Sequence, residues 1–232
     1  MDFDGRQAVV TGGAGALGGA VVGALIEAGA ICHVPYRHEA ELQHFPHRGD
    51  ARVKLHPSCE LSDEKVVAEF YAAVPGLWAS IHLAGGFAAG AIEATEAATL
   101  KLMLDSNFSS CFLCCRAAAR AMLATGGGRI VNVAARPALE WRSGAGMSAY
   151  AASKAAVAAL TAAIAEELAP RGILVNAVAP STMDTPANRK SMPKANFDRW
   201  PKVEEVAATI LWLASPRNTV ARGGIVPVYG KA

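Results

Sequence analysis

The chain has 232 residues, of which 52% are hydrophobic and 18% are charged, and its formal net charge is +2. This length suits one α/β domain with a large core, and the absence of clustered Lys and Arg argues against a nucleic-acid or anionic-membrane partner. No apolar run approaches the roughly 20 residues that span a bilayer, and no charged-then-apolar leader follows Met1, so we expect a cytoplasmic protein with no membrane partner.

The chain alternates between short β-branched runs and longer helical stretches. The runs typical of buried strands lie at 8–11, 30–34, 52–55, 81–84, 129–133, 173–178 and 225–228. The helical patterns between them lie at 17–27, 63–73, 95–124, 148–168 and 204–214. Strands separated by helices form right-handed βαβ units, which predicts an α/β fold with a doubly wound parallel sheet and helices on both faces. We assign residues 1–232 to this single domain.

Residues 181–203 interrupt the alternation. This segment contains Pro186, Pro193 and Pro201, mixed charges and two aromatic residues, and it is too long for an ordinary connection. Loops of this length are usually functional or disordered. We predict that this one contacts the substrate.

The cysteines favour neither disulfides nor a metal. Their number is odd, and they lie at Cys32, Cys59, Cys111, Cys114 and Cys115. The last three share a predicted helix with no histidine nearby in the sequence, so we interpret them as buried small hydrophobic residues and predict no metal site.

The first glycine turn carries the earliest chemical signal. Small residues run from Thr11 to Gly18, where the backbone at the end of a strand could approach a pyrophosphate beside a helix N-terminus. The same residues could also form an ordinary strand-to-helix turn.

A tyrosine and a lysine share one face of the helix predicted at 148–168. Tyr150 and Lys154 are four residues apart, so their side chains lie close together. A neighbouring ammonium favours the phenolate, so we expect the pKa of Tyr150 to fall below its ordinary value of ~10. Tyr150 could then exchange a proton with a substrate oxygen or nitrogen. A half-buried tyrosine beside a solvated lysine is the alternative on this pattern alone.

Three motifs together resemble one family along nearly the whole chain. Gly12, Ala16 and Gly18 match the small positions of a Thr-Gly-x-x-x-(Gly/Ala)-x-Gly fingerprint, Ala84-Gly85 resembles the end of an Asn-Asn-Ala-Gly motif, and residues 150–154 form Tyr-x-x-x-Lys. These are motifs of the short-chain dehydrogenase/reductase family. The resemblance implies a Rossmann-type sheet, a nicotinamide dinucleotide and a small-molecule substrate.

The resemblance also implies residue roles. Tyr150, Lys154 and Asn107 are the implied catalytic residues: Lys154 also holds the nicotinamide ribose, and Asn107 kinks the long helix and anchors a proton-relay water. A surface helix asparagine is the alternative for Asn107. The implied cofactor-binding residues are Gly12, Gly15, Ala16, Leu17, Gly18, Tyr36, Arg37, Glu60, Leu61, Ala84, Gly85, Tyr150, Lys154, Pro180, Thr182 and Thr185.

The end of the second strand bears on the choice of dinucleotide. Tyr36 occupies the position of the acid that would bind an adenosine ribose in NAD, and Arg37 follows it. An arginine suits a 2′-phosphate, so we expect NADP in preference to NAD. A solvated surface charge is the alternative for Arg37.

The chain departs from the family pattern after the fifth strand. The family places a catalytic serine there, whereas this sequence reads Asn132-Val133-Ala134-Ala135-Arg136. Alanine cannot donate a hydrogen bond, and such a donor contributes ~3 kcal/mol to a transition state. The following segment carries Arg136, Trp141, Arg142 and Ser143, of which Ser143 is our candidate for a substitute donor.

One branch of the family, dihydropteridine reductase, also lacks this serine. The chain is similar to it at 84–87, 144–154 and 185–193. A pterin could stack on Phe87 and accept hydride with little help from an extra hydroxyl donor.

We therefore predict a reductase or dehydrogenase for a small carbonyl, imine or pterin-like substrate. The alternative is a dinucleotide-binding regulator or scaffold with weak turnover. The alanine-rich helices and the apolar strand at 225–228 predict a homotetramer or homodimer.

Overall fold

The computed structural model describes residues 3–232, which form one seven-stranded sheet. Its strands are β1 (Gln7–Thr11), β2 (Ile31–Pro35), β3 (Val53–His56), β4 (Leu77–His82), β5 (Gly128–Val133), β6 (Ile173–Pro180) and β7 (Ile225–Val228). Their order is β3-β2-β1-β4-β5-β6-β7, and all neighbours are parallel. The order reverses between β1 and β4, which is where a parallel sheet opens a ligand crevice.

Helices cover both faces of the sheet, which confirms the predicted doubly wound α/β fold. They are α1 (Ala16–Glu27), α2 (Glu64–Ala72), α3 (Ala97–Met103), α4 (Ser110–Thr125), α5 (Ser148–Leu168), α6 (Pro186–Ser191) and α7 (Val203–Ala214). On one face α1 packs beside α7, and their apolar side chains form one buried cluster with the strands. On the other face α2, α4 and α5 form the second cluster. The strands are therefore buried from both sides.

Two elements differ markedly from the sequence prediction. The fourth strand spans Leu77–His82: it begins four residues before the predicted run at 81–84, because Ser80 interrupts the apolar pattern, and it ends two residues earlier. The helix predicted at 95–124 is two helices joined by a π-helical turn, Leu104–Ser109. The kink expected at Asn107 lies inside this turn.

The predicted loop at 181–203 has some structure of its own. It contains α6 and a short 3₁₀ turn, Phe197–Arg199. Thr185 caps α6 by accepting a hydrogen bond from the Asn188 backbone, and Arg189 pairs with Asp184. This segment therefore has fixed local geometry.

Helix α5 corrects one expectation. With the turn that follows it, residues Ser148–Arg171 are long and apolar enough, by length and composition, to cross a membrane. In the fold this helix packs along β6, and its buried face carries Ser153, Lys154 and Thr161. Its alanine residues give the helix a high mean hydropathy, and these polar side chains are buried in the interior of the fold.

Candidate active site

The glycine turn after β1 lies at the carboxyl edge of the sheet. Gly12 has φ of +66°, and a Cβ there would lie 2.7 Å from the Ala84 backbone nitrogen. A Cβ at Gly18 would lie 2.2 Å from the Gly12 carbonyl oxygen. Both positions therefore require glycine, for backbone conformation at Gly12 and for close approach at Gly18.

The helix that follows presents a free N-terminus. Gly15 is the N-cap of α1, no side chain caps the helix, and its first turn has no acidic residue. The first backbone N–H groups of a helix have no partner within it, and the helix dipole attracts negative charge. The residues present therefore fit the pyrophosphate of a dinucleotide, with Ala16 and Leu17 in the first turn.

Asn107 joins three elements at the mouth of the crevice. Its side chain is buried at 1% exposure. Its Oδ1 accepts a hydrogen bond from Gly86 N (2.9 Å), and its Nδ2 donates to Gly86 O (3.1 Å) and to Ser153 Oγ (2.9 Å). Ser153 in turn donates to the Tyr150 carbonyl (2.7 Å). The amide thus ties the segment after β4 to the π-helical turn and α5.

Lys154 lies close to Gly85 and Asn107. Its ammonium donates to the Val133 carbonyl at the end of β5 (2.8 Å). A Cβ at Gly85 would lie 2.4 Å from Asn107 Oδ1 and 3.5 Å from Lys154 Nζ, so the predicted residues Gly85, Asn107 and Lys154 meet. Burial lowers the pKa of Lys154 to about 8.

Tyr150 lies one helical turn before Lys154. Its ring contacts Phe87 edge to face, with ring centroids 5.0 Å apart, and Phe87 is 63% exposed. Burial raises the pKa of Tyr150 to about 12. Our expectation of a lowered tyrosine pKa is therefore wrong. Here the Lys154 ammonium donates to a backbone carbonyl, and the loss of hydration on burial controls the pKa of the Tyr150 phenol.

The site has no serine at the end of β5. Ala135 has an extended backbone and is buried. The proposed substitute, Ser143, has an exposed side chain whose hydroxyl donates to the Glu140 carbonyl (2.7 Å). Arg136 pairs with the same glutamate. In this conformation the Ser143 hydroxyl stabilises the local turn through this hydrogen bond.

The end of β2 brings acids close to the residues predicted to bind the adenosine. Arg37 forms an ion pair with Glu60 (3.0 Å), and both side chains are substantially exposed. Tyr36 donates to Glu39 (2.6 Å), and Glu41 accepts hydrogen bonds from the backbone N–H groups of Arg37 and His38. The sequence interpretation missed Glu39 and Glu41. Their positions beyond the strand end were the available signal.

The remaining predicted residues lie at the same edge or beside it. Ala84 follows β4, and its backbone N–H contacts Thr11 Oγ1 at 3.4 Å. Pro180 ends β6, Leu61 and Thr182 are half-buried, and Thr185 is buried at the start of α6.

The sequence interpretation also missed Ser153 and one contact between residues far apart in the sequence. Ser153 links Asn107 to Tyr150, and its place inside the Tyr-x-x-x-Lys motif was the signal for it. The expectation that no histidine lies near the cysteines of α4 is wrong, because the fold places His82 Nδ1 3.5 Å from Cys115 Sγ. That contact joins residues far apart in the sequence.

Comparison with known proteins places these features in a family. Residues 6–196 match the family model for short chain dehydrogenases. A galactitol 2-dehydrogenase from Rhizobium johnstonii is 37% identical, over 97% of this chain and 94% of that protein. A 2-dehydro-3-deoxy-L-rhamnonate dehydrogenase (NAD(+)) from Sphingomonas sp. is 32% identical, over 92% and 89%. A solved structure of an actinorhodin polyketide ketoreductase variant with NADPH has a TM-score of 0.87 and 25% identity, covering 99% of this chain and 98% of that one.

The buried ammonium generates a stability prediction. The pKa of Lys154 is about 8 in the folded chain, against ~10.4 for a solvated lysine. Between these values the unfolded chain binds more protons, so folding becomes more favourable as pH rises. We expect the free energy of unfolding of the wild type, relative to Lys154→Met, to increase by up to about 3 kcal/mol from pH 8 to pH 10.5. Urea denaturation measures this difference.

The control is Lys101→Met at an exposed lysine. The free energy of unfolding of this variant should show the same pH dependence as that of the wild type. A difference between wild type and Lys154→Met that stays flat across the window would contradict the assignment.

Proposed function

The chain belongs to the short-chain dehydrogenase/reductase family, and from this premise we propose that it transfers hydride between NAD(P)(H) and a small carbonyl, imine or pterin-like substrate, with Tyr150 as the proton donor. The observation that carries the proposal is the position of the Tyr150 ring against the exposed Phe87, at the end of the helix that also carries Lys154. A substrate on Phe87 would lie beside the phenol.

The state of Tyr150 suits proton donation. With a pKa raised to about 12, the phenol keeps its proton at neutral pH. The tyrosine can therefore supply the proton during reduction, provided that the developing phenolate is stabilised. Lys154, one turn away on α5, is the cation available for that task. Its present hydrogen bond to Val133 O fixes the direction of its stem.

Asn107 and Lys154 support the reaction differently. Asn107 holds Gly86 and Ser153, and so fixes the segment before Phe87 relative to Tyr150. We assign Lys154 to the ribose of the cofactor as well as to the phenol. The nicotinamide, when bound, supplies or accepts the hydride. The relay water expected at Asn107 stays a prediction.

Two substrate classes follow from different observations. The relatives named for galactitol and 2-dehydro-3-deoxy-L-rhamnonate support a polyhydroxylated alcohol or ketone. The exposed Phe87 beside Tyr150, together with Ala135 in place of the family serine, supports a planar, pterin-like substrate. We keep both within the proposal. The named dehydrogenases among the relatives favour an enzyme over the scaffold alternative.

We further propose NADP as the preferred cofactor, with NAD as the alternative. Arg37 is exposed at the end of β2, where a guanidinium can bind a 2′-phosphate. Glu60, which pairs with Arg37, would have to release it or share it. Relatives do not decide the choice, since one is named for NAD(+) and a solved ketoreductase carries NADPH.

The homotetramer or homodimer, the cytoplasmic location and the substrate role of residues 181–203 stay predictions. Exposed Leu100, Leu102 and Phe112 on α3 and α4 are compatible with an interface between subunits.

Removing the phenolic hydroxyl tests the main proposal. Tyr150→Phe should lower kcat by ~10²-fold or more, since the proton donor is lost, while the Kd of the cofactor stays within a few fold. Steady-state kinetics and a cofactor fluorescence titration measure the two quantities. Tyr229→Phe, which removes a half-buried hydroxyl outside this group, is the control. Parent-level turnover in Tyr150→Phe would refute the role.

Removing Arg37 tests the cofactor preference. The wild type should bind NADPH more tightly than NADH. Arg37→Ala should lower the ratio of the Kd for NADH to the Kd for NADPH by ~10-fold or more, since a charge-assisted bond to the phosphate is lost. Glu60→Gln, which frees Arg37 from its ion pair, should raise this ratio. NADH bound more tightly by the wild type would end this proposal.

Restoring the family serine tests the substrate class. Ala135→Ser should raise the rate with a simple ketone, by as much as ~10²-fold if the new hydroxyl reaches the developing charge. A quinonoid pterin should be indifferent to it. Ala134→Ser at the neighbouring buried position is the control for packing. An equal large gain with both substrates would mean that loss of the serine lowered the activity without any compensation, and would contradict an adaptation to pterin-like substrates.

A further inference from the structure

A group of soft metal ligands lies beneath the active site, between β4, β5 and α4. His82, Cys111 and Cys115 are all buried, and their ligand atoms lie within 4.8 Å of one another. The catalytic proposal uses none of these side chains. Asn132, on the neighbouring strand β5, adds an oxygen to the group.

Two of the separations between donor atoms are close to those of a tetrahedral complex, and a third is shorter. His82 Nδ1 lies 3.5 Å from Cys115 Sγ, and Asn132 Oδ1 lies 3.4 Å from the same sulfur and 2.8 Å from Nδ1. Metal–sulfur bonds of about 2.3 Å and metal–nitrogen bonds of about 2.0 Å require donor separations of about 3.3–3.8 Å. Ligation therefore requires the Nδ1–Oδ1 pair to open from 2.8 Å and the Cys111 Sγ, which lies within 4.8 Å of the other two ligand atoms, to close on the metal.

The orientation of the Asn132 amide follows from its other partners. Thr161 donates its hydroxyl proton to the Val157 carbonyl, so its oxygen accepts from Asn132 Nδ2 (2.9 Å). This leaves Asn132 Oδ1 facing the histidine as an acceptor. His82 therefore carries its proton on Nδ1 in the metal-free chain.

The opposite side of the imidazole can accommodate either tautomer. Ser80 Oγ lies 2.8 Å and Tyr71 Oη 3.2 Å from His82 Nε2, and the two hydroxyls are 2.8 Å apart. A hydroxyl can donate to a bare Nε2 or accept from a protonated one. When Nδ1 binds a metal, the proton on Nε2 thus already has a partner, which metal-ligating histidines normally require.

We propose that His82, Cys111 and Cys115 bind a zinc-class divalent cation, with Asn132 Oδ1 as the fourth donor. Two S–H bonds break, two metal–sulfur bonds form, and the two protons pass to solvent. The histidine proton moves from Nδ1 to Nε2, with no change in its number of protons. Two thiolates cancel the charge of the cation, so a buried site carries no net charge.

The ligand set selects among metals. Thiolate sulfur favours Zn²⁺, Cd²⁺ and the cobalt probe Co²⁺ over Mg²⁺ or Ca²⁺, which prefer oxygen. The site also touches the proposed catalytic group. Cys111 follows Asn107 by one helical turn and interacts electrostatically with Lys154. Metal binding at Cys111 should therefore change turnover as well as stability.

Titration of the intact protein with Co²⁺ tests the proposal. The sample is kept under a phosphine reductant and equilibrated overnight, since the ligands are enclosed. We expect one Co²⁺ per chain, a thiolate-to-cobalt charge-transfer band, displacement by Zn²⁺ and release of two protons per ion. Calorimetry in buffers of different ionisation enthalpy counts the protons.

Matched serine variants separate this site from general thiol binding. Cys111→Ser and Cys115→Ser should each weaken binding by ~100-fold or more, since loss of a second-shell partner alone costs about 10–100-fold. Cys114→Ser, at an equally buried position of the same helix, should stay within a few fold of wild type. Circular dichroism establishes that each variant is folded.

Wild type that binds no Co²⁺, or binds it without the charge-transfer band, would overturn the proposal. Equal loss of binding in Cys114→Ser would overturn it as well. If a variant does not fold, the number of protons released by wild type decides between two thiolate ligands and none.

Discussion

The candidate active site depends on the hydrogen bonds of one buried amide. Asn107 bonds both backbone groups of Gly86 and the hydroxyl of Ser153, and so joins the exit of β4 to α5. A regular helix at 104–109 would direct this side chain elsewhere, and the π-helical turn is the local cost of its position. Phe87, Tyr150 and Lys154 occupy their places relative to one another because this connection is rigid.

Burial determines the protonation of the two titratable groups. It raises the pKa of Tyr150 and lowers the pKa of Lys154, so each group is pushed towards its neutral form. A bound cofactor adds hydroxyl and phosphate groups, which would replace part of the hydration that the lysine has lost.

The sequence predicted the architecture because buried strands and amphipathic or alanine-rich helices leave local patterns. The glycine turn and the Tyr-x-x-x-Lys spacing also predicted which edge of the sheet carries the candidate site residues. The start of β4 was missed, since Ser80 resembles a loop residue until Tyr71 is known to lie opposite it. The Arg37–Glu60 pair and the His82–Cys115 contact were missed for the same physical reason. Each joins residues from elements that are far apart in the sequence, so no local pattern contains it.

Gly85 and Asn107 also constrain how this chain can evolve. Any side chain at Gly85 places a carbon 2.4 Å from the Asn107 amide oxygen, so the first mutation at position 85 collides while Asn107 is present. A shorter residue at position 107 would relieve the collision but would release Gly86. The two positions are therefore epistatic: neither has a neutral single step, and a lineage could leave this arrangement only through an intermediate in which the mouth of the crevice is no longer tied to α5.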